Sequence, residues 1–285
     1  MSAFLVGSHA WTLCRRAGSI FLPHKFLNSP PVSSGQREQL SRIQAIIESF
    51  EGVSSDLSVV ADSRGSVTFY GTKANPVIGI SVSILQGLVE RQWDKNKYFL
   101  EAYHQRIDQF SDIPAKITQR TRELETLQLE GIIGLHQHCR LMLSDEELRF
   151  VMAHEIAGHC QHDDNVKMFA LVLTVTVLAQ AIFSRIFKET SFMSIAAVTV
   201  VLSRCAQVLA SRQAERNADT RAIQGSERAR EGAKSLFKRY LIAEEAQKEL
   251  DRRRGDSHAV FDSLSGAFSS YPSTRERYEI TLSTQ

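Results

Sequence analysis

Residues 154–159 read HEIAGH and bring together side chains that can bind and use a metal ion. Histidine is a common Zn²⁺ ligand, and a carboxylate nearby can take a proton from a metal-bound water. In the H-E-x-x-H helix that performs this chemistry, the two histidines are four residues apart and share one face. His159 follows His154 by five residues, so the motif indicates metal-assisted hydrolysis with an unusual spacing.

The extra residue decides whether His154 and His159 can share one metal ion. On a regular α-helix, residues five apart point about 140° away from each other. One π-type turn would return them to a single face, and such turns concentrate at functional sites. Gly158 stands directly before His159 and would ease this distortion.

Two other interpretations stay open from the local residues alone. Glu155, His159 and His162 could share a face without any π-type turn, because they are four and three residues apart. The motif could also be accidental, with His154 and His159 as ordinary polar residues.

A pair of acidic residues lies downstream of this motif, in SRQAERNADTRAI (211–223). Glu215 and Asp219 are four residues apart on a predicted helix, where Glu215 could supply a third ligand from a separate helix. A carboxylate one turn later can accept the second N–H of a ligating histidine and fix its tautomer. The alternative interpretation is an exposed, charged helix.

The elements around these motifs have recognisable signals. Ser144 and Glu147 form a capping box that begins the helix carrying HEIAGH. Residues 57–62 and 66–71 are predicted to form a hairpin-like strand pair. Residues 75–88 are predicted to form a third strand that leads into a helix.

Two helical regions interrupt this framework. Residues 93–130 are charged but periodic, which predicts an amphipathic helical insertion divided near Pro114. Residues 168–203 hold two apolar stretches, each shorter than the ~20 residues that cross a bilayer comfortably. This apolar helical hairpin is either inserted in a membrane or packed as a buried or membrane-surface pair.

The formal net charge of +2 and the absence of a basic stripe argue against a nucleic-acid partner. Residues 1–37 contain four basic and no acidic residues and form a flexible basic leader, compatible with a mitochondrial presequence. Structure is expected over 38–285. The four cysteines form no pair with metal or disulfide spacing, which favours a reducing compartment.

At this point the sequence resembles the family of HtpX-type heat-shock metalloproteases and CAAX prenyl proteases. The matching segments are LSDEELRFVMAHEIAGH, SRQAERNAD, YPSTRER and NPVIGISVSILQGL, at residues 143–159, 211–219, 271–277 and 75–88. The resemblance implies one Zn²⁺ per chain, bound by His154, His159 and Glu215.

The resemblance also implies roles around the metal. Glu155 would be the general base. Asp219 would accept a hydrogen bond from the ring nitrogen of His154 that does not bind the metal. Arg277 and Tyr271 would lie near substrate or transition state. The strand carrying Asn75, Val77 and Gly79 would be an edge that pairs with an extended substrate.

Two departures from the family pattern stand out. The motif HExxGH is similar to that of dipeptidyl peptidase III, an active zinc peptidase with one inserted residue. Tyr271 stands where the family has a histidine; a tyrosine can donate a hydrogen bond to an oxyanion, or simply pack.

These observations predict a mainly helical, zincin-like metallopeptidase domain with a small β-sheet, of class α+β. The expected function is zinc-dependent cleavage of polypeptides that are unfolded or adjacent to a membrane. The alternative is an inactive pseudo-peptidase that binds polypeptide segments without cleaving them. Membrane association would run through 168–203, on a membrane in a reducing compartment or in mitochondria.

Overall fold

A computed structural model describes the backbone over most of the chain. The described residues are 30–50, 56–63, 67–72, 75–92, 94–110, 119–160, 192–255, 269 and 271–283, with 174, 177, 178, 181, 182 and 185. Residues 1–29 of the predicted leader (1–37) lie outside them. The described part is mainly helical with one small sheet, which confirms the α+β fold class.

Eight helices are described. They are α1 (Ser34–Glu48), α2 (Val82–Arg91), α3 (Asp94–Phe110), α4 (Gln119–Cys139), α5 (Asp145–Cys160), α6 (Phe192–Gly225), α7 (Glu227–Arg254) and α8 (Thr274–Ser283). The three described strands are β1 (Ser58–Asp62), β2 (Thr68–Thr72) and β3 (Asn75–Ser81). The backbone forms two compact units, residues 1–155 and 156–285, and each is described separately.

Helix α1 begins four residues before the predicted start of structure at residue 38. The Ser33 side chain caps the backbone N–H of Gln36, and the Gln36 side chain accepts from the N–H of Ser33. This capping box satisfies two N–H groups that a helix start leaves without partners. The prediction that the flexible leader extends to residue 37 is therefore wrong for its last four residues.

The sheet has the order β1–β3–β2, so the predicted hairpin between β1 and β2 is wrong. Strand β3 pairs in parallel with β1 and antiparallel with β2. Its residues Val77, Ile78 and Ile80 are buried. A continuous apolar run is typical of a central strand. The short connection between β1 and β2 suggested a hairpin instead, but it does not decide the strand order.

The central place of β3 also corrects its predicted role as a substrate-binding edge. Val77 is paired with Ser58 on one side and with Tyr70 on the other. Gly79 lies between Val60 and Thr68, and Asn75 is paired with Thr72. Of the described strands, β1 and β2 form the outer edges.

Helix α1 and helix α2 fix the start of α5 within the first unit. Arg42 of α1 forms an ion pair with Asp145, the first residue of α5. Arg91 of α2 donates from Nη1 to the carbonyl of Met142, at 3.0 Å. Gly87 permits this approach, since a Cβ there would lie 2.5 Å from the carbonyl oxygen of Leu141.

The predicted helical insertion is present as α3 and α4, which pack on each other. Tyr103 is fully buried, and its hydroxyl lies 2.6 Å from Nδ1 of His136. Helix α4 extends beyond the predicted end at residue 130 and includes His136 and His138. Pro114, the predicted break, lies between the two helices and outside the described residues.

The described part of the second unit includes the last turn of α5 with α6, α7 and α8. Helices α6, α7 and α8 pack on one another. From Phe192, the second apolar stretch of the predicted hairpin (168–203) continues into the carboxylate segment (211–223) as the single helix α6. Among the described helices, none is both long and apolar enough to cross a membrane.

Candidate functional site

Helix α5 places His154 and Glu155 about three turns after a strong helix start. The backbone N–H of Ser144 donates to Oε2 of Glu147 (2.9 Å), and the N–H of Glu147 donates to Oγ of Ser144 (3.1 Å), as the sequence predicts. Asp145, Glu146 and Glu147 lie in the first turn, where their negative charges interact favourably with the positive end of the helix dipole. These interactions stabilise the start of α5, about three turns before His154 and Glu155.

His154 is held by packing within the first unit. Its ring centroid lies 6.0 Å from that of Phe150, with the planes tilted by 50°. Phe150 is buried, whereas His154 and Glu155 are half-buried. Nδ1 of His154 is shielded from solvent. Both side chains therefore keep partial access to solvent, although Nδ1 of His154 does not.

Helix α5 is α-helical through all sixteen of its residues, so the predicted π-type turn is not part of this structure. Gly158 keeps a negative φ. Positions 154 and 159 of such a helix point about 140° apart. The side chain of His159 and the whole of His162 lie outside the described residues, so both ligand sets stay predictions.

The last turn of α5 approaches α6 at Gly158. A Cβ built on Gly158 would be 4.0 Å from Cβ of Ala218, an ordinary van der Waals contact. His159 directly follows Gly158, and Asp219 directly follows Ala218. The segment carrying one predicted ligand therefore meets the predicted carboxylate helix.

Helix α6 presents Glu215, Ala218 and Asp219 on one face, because residues three and four apart are neighbours on a helix. Ala218 and Asp219 are buried, and Glu215 is half-buried. Glu215 thus lies on the face that receives the last turn of α5.

Asp219 is bound by Arg277 through two hydrogen bonds. Nε and Nη2 of Arg277 donate to Oδ2 and Oδ1 of Asp219, at 2.8 and 2.7 Å. Burial opposes the charge of Arg277, but these bonds and the charge of Asp219 outweigh it and raise the pKa of Arg277, with smaller contributions from Glu215 and Tyr271. Arg277 therefore compensates a fully buried carboxylate beside Glu215.

The hydrogen bonds between Arg277 and Asp219 do not test a contact between Asp219 and His154, which stays a prediction. Each carboxylate oxygen has a second lone pair, so Asp219 can accept another hydrogen bond. The sequence suggested Arg277 as a neighbour of the site but did not suggest Asp219 as its partner.

Two aromatic residues, Phe237 and Tyr271, lie near Arg277. The Phe237 ring on α7 lies under Arg277, whose Cζ is 4.6 Å from the ring centroid. Tyr271 is 54% exposed, and its backbone N–H donates to Oγ of Ser269. Its predicted contact with substrate stays a prediction.

The donor chemistry of the predicted set suits zinc, with two imidazole nitrogens and one carboxylate. Among the side chains that the structure describes, no three His, Cys, Asp or Glu residues form a group able to hold a metal ion. The side chain of His159 is not among those described. The close approach of Gly158 to Ala218 is the structural observation in favour of the set.

Comparison with known proteins identifies the family. A family model of peptidase family M48 matches residues 57–283, which include α5, α6 and the C-terminal segment. Comparisons with curated proteins and with solved structures give no match. The family match confirms the resemblance seen in the sequence and supports a metallopeptidase function. The chain belongs to peptidase family M48.

Proposed function

We propose that this protein is a zinc-dependent endopeptidase with one Zn²⁺ per chain, bound by His154, His159 and Glu215. The observation that carries the proposal is the close approach of Gly158 to Ala218, where a Cβ added at Gly158 would lie 4.0 Å from Cβ of Ala218. It sets the last turn of α5 against the face of α6 that holds Glu215. A third ligand from a separate helix is what this type of site requires.

When bound, zinc would lower the pKa of a water molecule and polarise the scissile carbonyl. Glu155 takes the proton from the attacking water and passes it to the leaving amine. Asp219 fixes the tautomer of a ligating histidine. Arg277 keeps Asp219 ionised in a buried position, and Tyr271 donates a hydrogen bond to the developing oxyanion.

The proposed substrate is an unfolded or membrane-adjacent polypeptide in extended conformation. Main-chain pairing with a sheet edge would hold such a segment. Since β3 is central, an extended peptide would have to add to the outer edge of β1 or β2.

We also propose that 168–203 associates with a membrane surface. Six residues between 161 and 191 are described, and all six are helical and exposed: Thr174, Val177, Leu178, Ala181, Ile182 and Arg185. Their spacing places them on one helical face. Val177, Leu178 and Ile182 are 57%, 56% and 54% exposed. Flotation with liposomes, compared with a variant carrying Val177→Ser and Ile182→Ser, tests this proposal.

The peptidase proposal is tested by hydrolysis of casein before and after chelation. Activity should disappear with a chelator and return with added Zn²⁺. Glu155→Gln should remain inactive after zinc is added back. Hydrolysis that survives both chelation and Glu155→Gln would contradict the proposal.

The second candidate is a pseudo-peptidase that binds polypeptides without cleaving them. The regular α-helix through HEIAGH favours it, because the two histidine positions point apart. A chain that binds an unfolded polypeptide equally well with and without Glu155→Gln, and cleaves it in neither form, would establish this function.

A further inference from the structure

Arg277 joins three helices at one point beside the proposed metal centre. Asp219 comes from α6, Phe237 from α7, and Arg277 itself from α8. The edge of the guanidinium makes two hydrogen bonds to Asp219, at 2.8 and 2.7 Å. Its Cζ lies over the Phe237 ring, 4.6 Å from the centroid. The guanidinium is therefore constrained in two directions.

The contacts are largely removed from water. Asp219 is fully buried, Phe237 is 5% exposed, and the Arg277 side chain is 20% exposed. A cation over an aromatic ring is held more strongly when it is desolvated. A two-bond contact between guanidinium and carboxylate also fixes the relative orientation of the two groups. Rotation of Asp219 would thus break both hydrogen bonds unless Arg277 also moved away from the Phe237 ring.

We propose that Phe237 is a positioning residue for the metal centre, acting through Arg277 and Asp219. Its ring holds the guanidinium in place, and the guanidinium in turn fixes the Asp219 carboxylate that would orient a zinc-binding histidine. This inference rests on the proposed function. Outer partners of metal ligands typically change metal affinity by about 10–100-fold.

The ring, rather than apolar volume alone, is the required feature. The π face of phenylalanine carries the negative potential that attracts a cation, and an aliphatic side chain of similar size lacks it. Phe237→Leu keeps a buried apolar group but removes the ring. Phe237→Tyr keeps the ring and serves as the conservative variant.

The test measures the zinc Kd by competition with a chelator and the visible d–d spectrum of the Co²⁺-loaded protein. The spectrum reports ligand geometry and does not depend on catalysis. Phe237→Leu should weaken zinc binding by about tenfold or more and alter the Co²⁺ bands. Phe237→Tyr should retain wild-type values of both.

Two matched controls separate positioning from general packing. Leu236→Ala removes a buried neighbour on α7 and should lower the Tm without altering the Co²⁺ bands. Arg275→Lys changes an exposed arginine of α8 that is bound to Glu245 at 2.7 Å, and should change neither metal readout.

The outcomes distinguish this inference from the proposed function. Wild-type zinc affinity and Co²⁺ bands in Phe237→Leu would overturn the positioning role while leaving the zinc site intact. Equal losses in Phe237→Leu and Phe237→Tyr would also overturn it, because the ring would not matter. A wild-type chain that binds neither Zn²⁺ nor Co²⁺ would overturn the proposed function itself.

Discussion

Gly158 on α5 faces Ala218 on α6, and a Cβ on Gly158 would lie 4.0 Å from Cβ of Ala218. The contact comes one residue before His159 and one residue before Asp219. It accounts for how two motifs far apart in the chain could contribute to one centre. It also shows that there is space for a methyl group at Gly158.

Gly158→Ala should stabilise the metal-free protein and weaken zinc binding. Alanine is favoured over glycine inside a helix by about 1 kcal/mol, and the space for its methyl group is present. If metal binding requires a wider turn before His159, alanine at this position resists it. Urea unfolding with chelator present and zinc titration measure the two effects.

Gly134→Ala on α4 is the matched control, since no atom outside its own helix lies within 4 Å of an added Cβ. It should stabilise the protein by a similar amount and leave the zinc Kd unchanged. Unaltered zinc binding in Gly158→Ala would show that the helix needs no special freedom at Gly158.

Glu155→Gln should lower the rate of peptide hydrolysis by about 10²–10⁴-fold, the usual contribution of a general base. Zinc stoichiometry should stay at the wild-type value, because Glu155 is not a proposed ligand. Glu146→Gln, in the first turn of the same helix, is the control and should keep activity. Activity lost equally in both variants would indicate damage to the helix instead.

Arg277→Ala should lower the free energy of unfolding of the metal-free protein by about 3–5 kcal/mol, because it leaves the buried Asp219 charge uncompensated. Arg275→Ala removes an exposed ion pair on the same helix and should cost no more than about 1 kcal/mol. Urea denaturation with chelator compares them. Equal losses of unfolding free energy in the two variants would contradict a larger stabilisation by the hydrogen bonds to Asp219.

Glu249 gives a pH-dependent contribution to stability. Hydrogen bonds from Arg252 and Arg253 lower the pKa of Glu249 from 4.5 to about 2. A pKa lowered by folding stabilises the protein above pH 4.5, and this contribution disappears as the pH falls to about 2. The Tm of wild type should therefore exceed that of Glu249→Gln at pH 7, by less than about 3 °C because the pair is exposed. The difference should vanish near pH 2; a constant difference across this range would contradict the assignment.

The sequence predicts best what nearby residues decide. Ser144 and Glu147 lie within one turn, so their capping box and the start of α5 can be read directly. The continuous apolar run of β3 is a local signal of a central strand, but the order β1–β3–β2 and the pairing partners depend on residues far apart in the chain. The contact of Phe237 with Arg277 joins separate helices in the same way. The helix start at Ser33 and Gln36 had a local signal that the surrounding Pro/Ser/Gly composition obscured.

Zinc stoichiometry tests the central claim most directly, measured by elemental mass spectrometry on wild type, His159→Ala and Glu215→Ala. His138→Ala and Glu231→Ala, on other helices, serve as controls for each residue type. The account predicts about one zinc per chain in wild type and in both controls, and loss of zinc in His159→Ala and Glu215→Ala. Zinc retained without His159 would show that another group, such as His162, completes the site. No zinc in the wild type after reconstitution would contradict a zinc peptidase.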